Sequence, residues 1–170
     1  IDVIEEYTRP ARIVENGQIV IKQPLSEPEL LQFDEAGELE AFNSDGLRSL
    51  LYTLKIPNMK EKTLRYPKHA EYMRFLQAAG FFDDEEIHLN GSAVNKRKAT
   101  AEILLNGWKG DSNYDEYTVM RLELDQVHIG SGKKIIFDIY DRRDKQTGYS
   151  SMARTTGYTC CAAPKLILEE

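Results

Sequence analysis

With 170 residues, 41% of them hydrophobic and 29% charged, the chain has apolar material for one globular core and too little length for two, so a single domain over residues 1–170 is expected. A formal net charge of -6 opposes a nucleic-acid partner, which needs clustered Lys and Arg. No apolar run approaches the roughly 20 residues that span a bilayer, and the opening IDVIEEYTRP lacks the basic and apolar regions of a signal peptide; a soluble, cytoplasmic chain with no membrane partner is expected.

In chain order, RIVENGQIVIK sets two β-prone runs around Asn16-Gly17, residues that tolerate the positive φ of a tight hairpin turn. PELLQF and GELEAF read as two short strands. NSDGLRSLLYTL then switches to helical spacing through Leu47, Leu50, Leu51 and Leu54, with Ser44 or Asp45 as its N-cap. KEKTLRY is the next strand, and Pro67 marks the joint to a helix, because it biases Tyr66 toward extended backbone and suits a first helical turn. Ala70, Met73, Leu76 and Ala79 recur at helical spacing, and Gly80 stands where a left-handed cap would close the helix. At such a joint Arg65, the Tyr66 hydroxyl and His69 would converge on the unpaired N–H groups of a first turn, a corner suited to a carboxylate. The alternative is that Arg65 pairs with a structural carboxylate, Tyr66 packs and His69 faces solvent.

Further on, EEIHLN is a short strand and VNKRKATAEILLNGW a helix, with the basic run Asn95 to Lys98 on its wet face. YDEYTVMRLELDQVHI and KKIIFDIYD are longer strands joined by GSG, expected to pair as an antiparallel hairpin. The final SSMARTTGYTCCAAPKLILEE holds a terminal helix that Pro164 would break or kink. Adjacent Cys160 and Cys161 are too few and too closely spaced for a disulfide framework or a zinc knuckle, and are expected as small packing residues of a reduced protein. The pattern is an α+β fold: a mixed, mostly antiparallel sheet covered by helices on one face.

Several chemistries are not encoded. GSGKK at Gly130 to Lys134 fails as a phosphate loop, since Val127 replaces the earlier glycine and Lys134 the Ser or Thr. It fails as a dinucleotide fingerprint as well, with Ile135 at the third glycine position. His69, His88 and His128 lack metal-ligand spacing, so no metal is expected. Asp138, Asp141 and Asp144 beside Arg142 and Arg143 read as a salt-bridged, solvated turn.

EYTRPARIVENGQIV, LEAFNSDGLRSLL, KTLRYPKHAEYMRFL and MARTTGYT, in this order and spacing, resemble the C-terminal domain of saccharopine dehydrogenase-like proteins, including lysine 6-dehydrogenases. The likeness covers nearly all the chain; from Glu86 to Asp144 it is one of pattern only. It implies a protein in which a Rossmann domain holds NAD or NADP, while a second domain helps bind the amino-acid substrate and builds a homodimer. It further implies oxidation of an amine carbon by hydride transfer, or the reverse condensation. The dinucleotide-binding domain is missing from this sequence, so no cofactor and no hydride transfer are expected of the chain alone. On this resemblance Arg65, Tyr66 and His69 become candidates for the substrate's carboxylate or amine end. Asn43, Ser44 and Asp45 become candidates for its head group, with helix capping as the alternative. Arg154, Thr155 and Thr156 would face the nucleotide domain across a cleft. Lys68 stands where relatives are expected to carry glycine. The competing reading is a stand-alone binding or assembly module of the same fold. Two geometric expectations complete the picture: Ile1 and the region after Arg154 lie on one side of the fold, and the Tyr117–Tyr140 hairpin buries an apolar face against a partner subunit.

Overall fold

The computed structural model describes residues 2–109, 114–126 and 132–169. The chain falls into two compact units, Ile1–Lys109 and Gly110–Glu170. The first carries α1 (Asp2–Thr8), β1 (Ala11–Glu15), β2 (Gln18–Lys22), β3 (Glu29–Phe33), β4 (Gly37–Asn43), α2 (Leu50–Thr53), β5 (Lys62–Arg65), α3 (His69–Ala78), β6 (Glu86–Leu89), β7 (Ser92–Asn95) and α4 (Lys96–Trp108). The second carries β8 (Tyr117–Gln126), β9 (Lys133–Arg142) and α5 (Ser151–Leu168). The fold is α+β, and among the described residues every strand pair is antiparallel and the strands are shared among four small sheets, β1-β2, β3-β4-β5, β6-β7 and β8-β9.

Asn16 (φ 50°) and Gly17 (φ 76°) make the expected hairpin turn between β1 and β2. Asn90 (φ 51°) and Gly91 (φ 81°) repeat the device, so Val94 and Asn95, expected in a helix, instead end the β6–β7 hairpin. Asn95 then caps α4, its side chain accepting from Lys98 N at 2.9 Å. Lys96 pairs with Glu85 (2.8 Å) and Arg97 with Asp84 (3.0 Å), which neutralises the basic run locally.

The first unit's main core gathers Ile4, Tyr7, Leu25, Phe42, Ala70, Met73, Phe82 and Ala101. Ile4 and Tyr7, 0% and 1% exposed, come from α1, which was not anticipated because DVIEEYT offers a single apolar pair at i, i+3. β4 is buried from Leu39 through Asn43, so both of its faces are covered and even Glu40 lies inside. A smaller cluster joins Val14, Leu47 and Leu51 with Met59 packed against it.

Three local expectations are corrected. The helix drawn from Ser44 is only the turn Leu50–Thr53 with Ser49 at its N-cap; Ser44 and Asp45 are held by other side chains, and Arg48 (φ 49°) interrupts the backbone. α3 begins at His69 behind a left-handed Lys68 (φ 73°), so Pro67 precedes the helix rather than sitting in its first turn. That φ is the physical reason glycine suits position 68. Gly80 does close α3, with Phe81 N on Leu76 O and Gly80 N on Gln77 O, both 3.0 Å. Finally, α5 runs through Pro164; the carbonyl that loses its donor belongs to Cys160, on an exposed stretch where water can meet it.

In the second unit, the ten-residue strands β8 and β9 pair from Tyr117↔Arg142 to Gln126↔Lys133. Partners share a face, so Met120, Leu122 and Leu124 lie beside Ile139, Phe137 and Ile135. The opposite face carries Arg121–Asp138 (2.7 Å) and Lys134–Glu123 (2.9 Å). Asp138 therefore pairs across strands, and Asp141 pairs with Arg154 at 3.3 Å, in place of the expected pairing with Arg142 and Arg143. Cys160 and Cys161 are exposed on α5 rather than packed. Among the described residues of this unit only Ser151 is buried. Ile1, His128 and the first two residues of the GSG joint lie outside the described residues.

Candidate functional site: a charged cleft at the strand-to-helix joints

Two of the joints singled out in the sequence are linked by α1. At the first, Arg65 leaves β5 and its Nη2 donates to Glu6 Oε2 at 2.7 Å while Nη1 donates to Leu64 O at 2.8 Å. The first-turn amide of Ala70 donates to Glu40 Oε2 at 2.8 Å, in a buried setting. The anion favoured at this helix N-terminus is therefore supplied by the chain itself, which corrects the expectation of free amide hydrogens at the corner. Tyr66 is exposed. His69 does not face solvent: its ring stacks on Phe42 (6.3 Å, 5°) and its Nε2 shares a 3.1 Å hydrogen bond with Tyr7 Oη. Burial, helped by the Arg65 charge and opposed by Glu40, pulls the His69 pKa below its ordinary value. Burial pushes the Tyr7 hydroxyl up, against the nearby Arg65.

At the second joint Asn43 is fully buried. Its backbone N–H donates to Ser26 O at 3.0 Å and its Nδ2 to Ser26 Oγ at 3.1 Å, and its Oδ1 is buried without a hydrogen bond. Ser44 Oγ donates to Glu61 Oε2 at 2.6 Å and shares a 2.7 Å bond with Thr63 Oγ1. The same Glu61 oxygen accepts from Gly46 N at 3.0 Å. A Cβ on Gly46 would lie 2.4 Å from Glu61 Cδ, so glycine is what lets the carboxylate seat there. Asp45 receives Arg12 in a fork, Nε at 2.9 Å and Nη2 at 2.8 Å; that guanidinium holds the Asp45 carboxyl below its ordinary range.

Between these joints opens a cleft of ≈ 450 Å³. α1 contributes Glu5, Glu6 and Arg9, the β4–α2 joint Ser44, Asp45 and Arg48, and the approach to β5 Glu61 and Thr63. Most of its charges are matched: Arg9 with Glu5, Arg65 with Glu6, Arg12 with Asp45. Among the described residues, Arg48 forms no ion pair and Glu61 Oε1 takes no hydrogen bond. Arg48 thus acts on Asp45 through its charge without an ion pair, and the fixed Glu61 carboxylate keeps one oxygen without a hydrogen bond among the described residues. Among the described residues no group of His, Cys, Asp and Glu could hold a metal ion, and no helix is long and apolar enough to cross a membrane.

Of the nine residues singled out from the sequence, Ser44 and Asp45 line the cleft and Arg65 reaches its wall through Glu6. Asn43 lies behind it, and Tyr66 and His69 do not line it. Arg154, Thr155 and Thr156 belong to α5: Arg154 pairs with Asp141 and lies 5.8 Å from the Tyr158 ring centre, Thr155 Oγ1 donates to Ser151 O at 3.0 Å, and Thr156 is exposed. Arg48, Glu61, Glu5 and Glu6 were missed. The one signal available for Glu61 was its place beside a strand whose next residues were already suspected; α1 left none. The whole chain, residues 1–170, matches the saccharopine dehydrogenase C-terminal domain and belongs to that oxidoreductase-related family.

Proposed function

We propose that this chain is the substrate-binding and dimerisation domain of a cytoplasmic NAD(P)-dependent oxidoreductase acting on the amine group of a lysine-like amino acid. The cleft carries the reading. Among the described residues of its lining Arg48 is a guanidinium without an ion pair, suited to a carboxylate, and Glu61, fixed by Ser44 and Gly46, offers Oε1 to an ammonium. Family membership supports the oxidoreductase class. Among the described residues, neither α3 nor the cleft suits a dinucleotide: Glu40 already fills the N-terminus of α3, and the carboxylates of the cleft would repel a pyrophosphate. A Rossmann domain joined to this one would hold NAD or NADP and supply the hydride acceptor. Residues of this chain bind and orient the substrate, and none of them is assigned a proton-transfer role.

Homodimerisation would use the apolar face of the β8–β9 hairpin, whose Leu122 and Phe137 are 47% and 54% exposed. A sheet face this apolar is seldom left bare in water, and a second copy offers the same apolar face in return.

Calorimetric titration tests the substrate site. L-lysine should bind the chain, cadaverine, which lacks the carboxylate, should bind at least tenfold more weakly, and Arg48→Ala should cost about 10- to 100-fold in affinity for lysine, the range of a charge-assisted pair. Equal binding of lysine by wild type and Arg48→Ala, or none at millimolar concentration, would refute it.

A further inference from the structure

Among the described residues the outer edge of β2 is a second surface without a partner, β1 being its one neighbour in the sheet. The two-residue turn Asn16-Gly17 makes Glu15↔Gln18 the closing hydrogen-bonded pair. Counting back along the register, Ile13↔Val20 and Ala11↔Lys22 are hydrogen-bonded pairs too, so Ile19 and Ile21 turn their N–H and C=O groups outward. Their side chains are 46% and 69% exposed, beside a 70% exposed Tyr52. Ile19 also lines a groove of ≈ 410 Å³ of mixed polar and apolar surface, together with Val14, Leu51, Leu54, Lys55 and Ile56. An exposed β-branched edge of this kind is a template for strand addition.

We propose that the occupant is a second copy of this chain, β2 pairing antiparallel with β2 about a two-fold axis through Val20. The segment QIVIK is self-complementary in that register. Ile19 of each copy stands opposite Ile21 of the other, in hydrogen-bonded pairs that use the outward groups of both, and Gln18 stands opposite Lys22. No like charges meet, and Lys22 keeps its ion pairs with Glu15 (2.9 Å) and Glu27 (3.1 Å). Centring the axis on Lys22 instead would bring two ammonium groups together. Isologous pairing of this kind closes as a dimer rather than growing. The edge belongs to the first unit and the β8–β9 face to the second, so variants at Ile21 and Leu122 probe the two interfaces separately.

The test uses the full chain with Cys160→Ser and Cys161→Ser, since both native thiols are exposed. On the axis Val20 faces its own copy as a non-hydrogen-bonded pair, with Cα atoms about 4.5 Å apart, inside disulfide reach. Val20→Cys should cross-link into a covalent dimer under mild oxidation, and Gln18→Cys, opposite Lys22, should not. In parallel, Ile21→Lys, at an exposed site that leaves the core intact, should halve the mass seen by light scattering. Equal or absent cross-linking of the two cysteine variants overturns the proposal, as does an unchanged mass in Ile21→Lys. A mass halved by Leu122→Asp alone overturns it and leaves the hairpin dimer standing; a mass halved by Ile21→Lys alone supports it and overturns the hairpin dimer.

Discussion

Replacing Glu40 probes whether the chain has filled the N-terminus of α3 with its own anion. Glu40 lies on the covered central strand, 8% exposed, and its Oε2 accepts the Ala70 amide at 2.8 Å. Ala70 is fully buried, so in Glu40→Ala this N–H loses its partner where water cannot replace it. An unsatisfied buried donor costs about 1–3 kcal/mol, and the lost methylene adds about 1 kcal/mol. The sum, about 2–4 kcal/mol, corresponds to a fall in melting temperature of roughly 10–20 °C for a unit of this size. Glu40→Gln retains an acceptor and gives up only the charge at the helix end, about 1 kcal/mol. Thermal melts followed by circular dichroism read the ranking wild type, Gln, Ala. Hydrogen exchange at Ala70 reads the cause: protection should survive in Gln and drop in Ala. A Glu40→Ala variant that melts within about 2 °C of wild type, with the Ala70 amide still protected, would refute the internal-anion account.

Phe42, fully buried between Tyr7 and the His69 ring, should cost about 3–5 kcal/mol on truncation to Ala, whereas Phe75→Ala, at a residue 70% exposed, should change the denaturation midpoint little; equal effects would contradict the placement of the core. Because burial lowers the pKa of His69, the unfolded chain binds the proton more readily, and stability should fall as pH drops below about 6.5 toward the folded value, then level off with respect to this group. His69→Gln should flatten that part of the profile, and in Glu40→Gln, with the opposing carboxylate neutralised, the NMR titration midpoint of His69 should move lower still; a midpoint at or above 6.5 in wild type would reverse the sign.

What could be read in advance followed from local chemistry. Asn16-Gly17 announces its hairpin through positive φ alone, and Gly80 closes α3 by the same rule. The ten-residue strands declare themselves by β-branched and aromatic content. What could not be read was set by side chains meeting from afar in sequence. Ser44 looks like a helix cap until Glu61, which lies 17 residues away in sequence, claims its hydroxyl. Asp45 looks like one until Arg12 takes both its oxygens. The β7 strand was hidden because Asn90-Gly91 is the same signal as Asn16-Gly17, set between runs too short to weigh. Pro164 was given the veto it exercises inside a core helix, but on an exposed helix its missing donor leaves a carbonyl that water can satisfy.

The same long-range pairing decides where a ligand can be recognised. A guanidinium and a helix N-terminus next to one another suggest an anion site only while both stay unmatched, and here Glu6 and Glu40 meet them. Matched charges have little left to offer a ligand, because a newcomer must first displace a partner that is tethered and already desolvated. On the proposed reading, recognition falls to the groups left over. Arg48 sits at a left-handed position (φ 49°) with no carboxylate in ion-pair range among the described residues, and Glu61 is clamped through one oxygen with the other unused. That clamp also explains why Gly46 stands at the rim: a side chain there would push the carboxylate from its seat, and on the proposed reading the cleft would lose the fixed half of its charge pair.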